Sequence, residues 1–137
     1  MKKNIFLFSM ILFGIHTAFG QTTAVKDELT VKEKMLCKTW TMVSSEQFGV
    51  AEQATAAEKK DGISFSENRT VTLTREGKTE QGTWKTNKNQ TYIYISIDNS
   101  KDKILFKLIS VSENELVYEY QDPELIRTAY TFAASKK

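Results

Sequence analysis

From Lys38 to the end of the chain, apolar side chains recur at every second position in short runs rich in Thr, Val, Ile, Tyr and Phe. Each run ends at Gly, Asn, Asp, Ser or Pro, which favour turns. A period of two is typical of β-strands, because successive side chains point to opposite faces of a sheet. The predicted strands lie near residues 38–47, 62–66, 70–76, 79–86, 91–98, 103–111, 115–121 and 125–133.

Consecutive predicted strands pass a register test, since residues paired across a hairpin must share a face of the sheet. A turn at 67–69 pairs Phe65 with Val71. A two-residue turn at Gly77-Lys78 pairs Leu73 with Gly82. The later hairpins pair Trp84 with Ile93, Ile95 with Phe106, Leu108 with Tyr118 and Tyr120 with Ile126. One apolar face therefore runs through an antiparallel meander.

This apolar face needs a cover, and no long amphipathic helix follows Lys38 to provide one. We therefore expect the sheet to close on itself, which also removes the edge strands that invite aggregation. Closure brings Trp40 and Met42 of the first strand beside Tyr130 and Phe132 of the last. The predicted fold is all-β, an eight-stranded up-and-down antiparallel barrel.

A short helix is predicted just before the first strand. Thr30-Val31-Lys32-Glu33 has the spacing of a capping box, and Val31 and Met35 share one face of a helix running to about Cys37. A helix of this length is not stable in isolation and must pack against other structure. We expect it to close one end of the barrel.

The first 20 residues have the pattern of a cleavable signal peptide. Lys2 and Lys3 give a positive start, residues 5–15 form an apolar stretch, and Ala18-Phe19-Gly20 supplies small residues at the cleavage site. The apolar stretch is shorter than the roughly 20 residues that span a bilayer. We therefore expect export to the periplasm or medium and no membrane span in the mature chain. The predicted organisation is signal peptide 1–20, N-terminal segment and short helix 21–37, and barrel domain 38–137.

Charge and composition exclude several classes of function. The precursor has 19 basic and 17 acidic residues, and removal of Lys2 and Lys3 leaves 17 of each. A neutral chain without a basic run predicts no nucleic-acid binding. The one histidine, His16, lies in the signal peptide, and Cys37 is the one cysteine. No nucleophile-histidine pair, zinc cluster or internal disulfide is therefore expected, and we predict neither an enzyme nor a cofactor.

Three short motifs resemble the bacterial lipocalin-like, or calycin-type, domains. They are Leu36-Cys37-Lys38-Thr39-Trp40 after the short helix, Gly82-Thr83-Trp84 in mid-sheet, and Tyr130-Thr131-Phe132 on the last strand. Lys38 stands where lipocalins usually have glycine, and Lys136 and Lys137 stand where they usually have an arginine. The resemblance is thus to a short, divergent member. It implies that the chain binds a small ligand inside the barrel.

The inward-facing side chains are the candidate ligand-binding residues. They are Trp40, Phe65, Arg75, Trp84, Ile95, Phe106, Tyr118, Tyr120 and Tyr130. Eight strands enclose either a solid core or room for one small molecule, and the sequence leaves both open. Arg75 is expected opposite Glu80. It either anchors the acidic head group of a ligand or forms an ion pair at the rim.

The loop over residues 48–60 is expected at the open end, away from the short helix. Residues 51–60 are rich in Ala, Glu and Lys and predict a helix, either a mobile lid or a solvated surface helix.

The favoured function is an exported domain that binds a small apolar or amphipathic ligand. The alternative is a protein-interaction module, an inhibitor or assembly subunit, with a filled barrel and an exported protein as partner. An unrecognised hydrolase is a third reading.

Overall fold

The computed structural model describes residues 27–136, so the predicted signal peptide lies outside the described residues. Within these residues the chain forms one α-helix, α1, and nine strands. They are α1 Val31–Leu36, β1 Thr39–Gln47, β2 Val50–Gln53, β3 Gly62–Phe65, β4 Thr70–Arg75, β5 Lys78–Thr86, β6 Tyr92–Ile97, β7 Lys103–Val111, β8 Glu115–Gln121 and β9 Arg127–Ala134. A turn of 3₁₀ helix, Glu58–Lys60, precedes β3.

The strands form a closed antiparallel barrel. From β3 to β9 each strand pairs with the next, and β1 closes the ring by pairing with β3 on one side and β9 on the other. The eight-stranded up-and-down barrel is therefore confirmed, with β2 as an extra strand. Because strands alternate in direction, α1 and the β3–β4, β5–β6 and β7–β8 loops share one end, the closed end. The other turns surround the open end.

The predicted inward faces are confirmed, but the predicted register of several hairpins is wrong by two residues. Phe65 pairs with Val71 as expected. In the next hairpin Val71, not Leu73, is opposite Gly82, because the turn is Glu76-Gly77 and not Gly77-Lys78. Both turn residues have positive φ, 50° and 77°, as a type I′ turn requires.

The same displacement recurs around the sheet. Trp84 pairs with Ile95, Ile93 pairs with Phe106, and Tyr120 pairs with Thr128, whereas the predicted pairing of Leu108 with Tyr118 is confirmed. Each wrong pair differs by two residues from the observed one, so no side chain changes face. Alternation determines the face of a side chain, while the turns determine how far one strand slides along its neighbour.

The seam between the first and last strands contains a β-bulge. The predicted meeting of β1 and β9 is confirmed: Met42 lies opposite Phe132, and the register then shifts between Met42 and Ser44, so that Tyr130 lies opposite Ser45. A bulge adds a residue to one strand and bends it locally. Regular alternation would place Ser44 on the inner face after Met42. Because of the bulge, Ser45 lies there instead.

The predicted helix over residues 51–60 is wrong. The chain reverses at Phe48-Gly49, where both residues have positive φ, and returns as β2 along the second half of β1. The strand β3 pairs only with the first three residues of β1, and β2 pairs from Ser44 onward. Pairing this otherwise open edge outweighs the helix propensity of the segment. Its one helical turn begins at a capping box between Thr55 and Glu58.

The predicted helix α1 is confirmed with its Thr30–Glu33 capping box, and it seals the closed end. The buried Glu33 carboxylate accepts hydrogen bonds from both Nη atoms of Arg69 at 2.7 and 3.3 Å and from the Thr86 hydroxyl at 2.7 Å. Burial acts to raise the pKa of Glu33, but these bonds, the bond from the Thr30 N–H and the charge of Arg69 outweigh it and hold the pKa at about 2. The helix is thereby fixed to the β3–β4 loop at Arg69 and to the end of β5 at Thr86.

Candidate functional site

The interior of the barrel is not uniform. Trp40, Phe65, Trp84 and Ile95, four of the predicted ligand-binding residues, are at most 2% exposed and belong to the hydrophobic core. The Trp40 and Trp84 indole N–H groups donate to the carbonyl oxygens of Leu36 and Ser66 at the closed end. These four residues support the barrel and do not line the cavity at its open end.

A pocket of about 290 Å³ opens at the other end, and we call it the mouth pocket. The remaining five predicted residues all line it: Arg75, Phe106, Tyr118, Tyr120 and Tyr130. The sequence analysis missed three apolar lining residues, Met42, Leu73 and Phe132, and three acidic ones, Glu58, Asp61 and Glu76. The apolar three share the inward alternation of their strands, whereas only the loop geometry of the folded chain places the carboxylates.

An aromatic cluster forms the wall of the mouth pocket. The Tyr118 ring stacks on Phe106 and Phe132, with centroid distances of 4.0 and 5.2 Å, and Tyr130 lies 5.8 Å away. The Tyr120 ring meets Phe106 edge-on at 5.9 Å. Offset and edge-to-face contacts of this kind stabilise aromatic clusters beyond the area that they bury. Contacts between the rings therefore hold the wall together.

The hydroxyl of Tyr118 is a polar group inside this apolar wall. The residue is 6% exposed, and its hydroxyl has no hydrogen-bond partner among residues 27–136. Within the same residues, every fully buried side-chain nitrogen or oxygen has a partner, so the hydroxyl must retain access to the pocket. Burial and the neighbouring Tyr130 raise its pKa, with Arg75 acting weakly in the opposite direction, and the phenol stays protonated. It can donate or accept a hydrogen bond.

Charged side chains surround the rim of the mouth pocket. Arg75 is paired with Glu80 at 3.4 Å, which confirms the expected rim ion pair, although Lys78 is its partner in the register. The Asp61 carboxylate accepts the Glu76 backbone N–H at 2.9 Å. Among the described side chains, Glu58, Asp61 and Glu76 form no salt bridge. No cationic nitrogen of the described side chains therefore lies within 4 Å of these three carboxylates.

A groove continues from the mouth pocket along the β1–β2 hairpin. The two spaces share Met42, Glu58 and Tyr130, and the groove adds about 460 Å³. Its outer part is lined by Phe48 and Val50, which are 82% and 62% exposed. Exposed apolar side chains beside a cavity extend the apolar surface that a ligand can contact.

The family model described as a lipocalin-like domain matches residues 36–118. The chain belongs to the lipocalin-like family. Among solved structures it is similar to a DUF4847 family protein from Bacteroides vulgatus, with 16% identity and a TM-score of 0.52 over 79% of this chain and 99% of that one. At this identity the similarity concerns the fold alone. The comparison with curated proteins found no match.

A second, larger cleft of the lipocalin-like barrel, about 620 Å³, lies on the surface at the closed end beside Glu33 and Arg69. The hydrogen bonds to Glu33 occupy both of its carboxylate oxygens, so the ion pair of Glu33 and Arg69 stabilises the fold and is not free to bind a ligand.

Within residues 27–136, no three His, Cys, Asp or Glu side chains are grouped as metal ligands would be. No helix in this part of the chain is long and apolar enough to cross a membrane. The mouth pocket is the candidate site.

Proposed function

We propose that this lipocalin-like protein binds one small apolar or amphipathic ligand in the mouth pocket. The observation that supports this most directly is Tyr118, a buried phenol with an unpartnered hydroxyl in an aromatic wall. Because this hydroxyl retains access to the pocket, water can bond to it in the free protein, and a ligand with a hydrogen-bonding group takes the place of that water.

The size of the cavity limits the class of ligand. At about 290 Å³ the mouth pocket is at the lower end of the range of roughly 300–1,000 Å³ for small-molecule sites. It suits one compact apolar group, and the adjoining groove takes a longer chain. The proposed role is binding, without a catalytic step.

The test is a titration of the purified protein with apolar dyes and with single-chain amphiphiles, followed by dye emission and calorimetry. Tryptophan emission is a poor reporter, because Trp40 and Trp84 lie in the filled core. Saturable binding with one site per chain is expected. Replacement of Tyr118 with Phe should weaken a ligand with a polar head about three- to tenfold, since a hydrogen bond contributes about 0.5–1.5 kcal/mol.

The matched control is Tyr94→Phe, because Tyr94 is a half-exposed tyrosine on the outer face of the barrel. It should leave affinity unchanged. Wild-type protein that shows no saturable binding would refute the proposal. It would favour the interaction module, for which a specific observation exists: Tyr94 and Leu105 pair on the outer face of β6 and β7 and are 41% and 46% exposed.

We also propose that the protein acts outside the cytoplasm after cleavage before Gln21. The support is the sequence pattern of Lys2, Lys3, the apolar stretch and Ala18-Phe19-Gly20. The intact mass of exported protein should correspond to a chain beginning at Gln21. A mass that retains residues 1–20 in that fraction would contradict the proposal.

A further inference from the structure

We infer that the ligand of the mouth pocket is an organic cation, an apolar body carrying an ammonium group, rather than a fatty acid or other anion. This inference rests on the proposed function and specifies the charge of the head group. It runs against the expectation that Arg75 anchors an acidic head. Two independent features of the pocket support it, the charge of its rim and the composition of its wall.

The rim is negative. The three carboxylates Glu58, Asp61 and Glu76 line the pocket, and Arg75 is the one cation among its described lining residues. Arg75 is paired with Glu80 at 3.4 Å, which offsets part of its charge. The groove brings a further carboxylate, Glu52, and none of its described lining residues is basic. An anionic head group would lie beside carboxylates that form no salt bridge with the described side chains, whereas a cation finds several carboxylates beside it.

Hydrogen bonds at the rim hold two of these carboxylates, those of Glu58 and Asp61, in place. Thr55 donates its backbone N–H and accepts from the Glu58 N–H in a capping box, and the bonds from Thr55 lower the pKa of Glu58. The Asp61 carboxylate is fixed by the Glu76 N–H. Both carboxylates use one oxygen in these described bonds. The other oxygen is available to a ligand.

The wall of the pocket also suits a cation. The rings of Phe106, Tyr120 and Tyr130 line the cavity, and aromatic faces attract ammonium groups within about 6 Å. The buried Tyr118 hydroxyl, unpartnered among the described residues, accepts a hydrogen bond from an ammonium N–H. An apolar body packs against the rings and along the groove. Its ammonium group lies between the rings and the carboxylates of the rim.

The experiment compares probes that share an octyl chain and differ in charge: octylammonium, octyl glucoside and octanoate. Calorimetric titrations below the micellar range should give an affinity for octylammonium at least about tenfold above that for octanoate. Raising the ionic strength from about 0.01 to about 1 M shortens the Debye length from about 30 to about 3 Å. That change should reduce the affinity for octylammonium and leave the affinity for octyl glucoside unchanged.

A triple variant, Glu58→Gln, Asp61→Asn and Glu76→Gln, neutralises the rim while keeping hydrogen-bonding side chains. It should weaken octylammonium about tenfold, equivalent to about 1.4 kcal/mol, with little effect on octyl glucoside. The control triple variant removes the same charge at the closed end. It consists of Glu28→Gln, Glu67→Gln and Glu115→Gln. This control should leave all three affinities unchanged.

The Arg75→Gln variant distinguishes a cationic head group from an acidic head group anchored by Arg75. It should strengthen octylammonium, because Glu80 is then released from its ion pair. If octanoate binds as tightly as octylammonium, or if the rim variant binds the cation unchanged, the inference is wrong while the proposed function stands. If none of the three probes binds saturably, both the inference and the proposed function are wrong.

Discussion

Replacement of Glu33 with Gln tests whether the closed end is held by an ionised carboxylate. Gln is close in shape to the protonated side chain, so the variant removes the charge that Arg69 and Thr86 bind. The pKa of Glu33 is about 2 in the folded chain and 4.5 ordinarily. At about 1.36 kcal/mol per pKa unit, ionised Glu33 contributes about 3 kcal/mol to the free energy of unfolding at neutral pH.

The pH dependence of this contribution follows from the depressed pKa. The stabilisation is fully present above about pH 4.5 and is lost as the pH falls towards 2, where the folded state also binds the proton. Urea unfolding should therefore show wild type more stable than Glu33→Gln by about 3 kcal/mol at pH 7. Most of this difference should disappear near pH 2. Urea is preferred to guanidinium because it does not screen charge.

The control is Glu113→Gln, which removes an exposed carboxylate that is paired with Lys38 at the same end. An exposed ion pair contributes at most about 1 kcal/mol, so this variant should differ little from wild type at any pH. A loss below about 1 kcal/mol in Glu33→Gln at pH 7, or an equal loss at pH 7 and pH 2, would refute the assignment of an ionised, buried Glu33.

Three further predictions concern the barrel. Replacement of Trp40 or Trp84 with Ala should cost about 3–5 kcal/mol in urea unfolding, and a loss below about 1 kcal/mol would mean that the tryptophan is not in the core. Gly82→Ala should cost about 1–3 kcal/mol, because its Cβ would lie 2.1 Å from the Ser96 carbonyl oxygen; unchanged stability would contradict this close strand contact. Arg75→Gln should change stability by less than about 1 kcal/mol, since its ion pair is half-exposed, and a larger loss would indicate a structural role.

The tertiary contacts of the carboxylates at the closed end and at the rim could not be predicted from the sequence. Glu33 was recognised as part of a capping box, but its ion pair with Arg69 joins residues 36 positions apart. Glu58, Asp61 and Glu76 meet at the rim because the β1–β2 hairpin and a 3₁₀ turn occupy the segment in which a helix was predicted. The competition between helix propensity and the unpaired edge of β1 is a tertiary effect.

The sequence by itself determined which side chains point into the barrel. Alternation has a period of two, so Phe106, Tyr118, Tyr120 and Tyr130 remain on the inner face even where hairpins slide by two residues. Only the tertiary structure decided which inward residues line a cavity and which fill the core. That depends on position along the barrel axis, which the Glu76-Gly77 turn, the bulge after Met42 and the closure of β1 on β9 set together. A local pattern of two residues carries no information about that position.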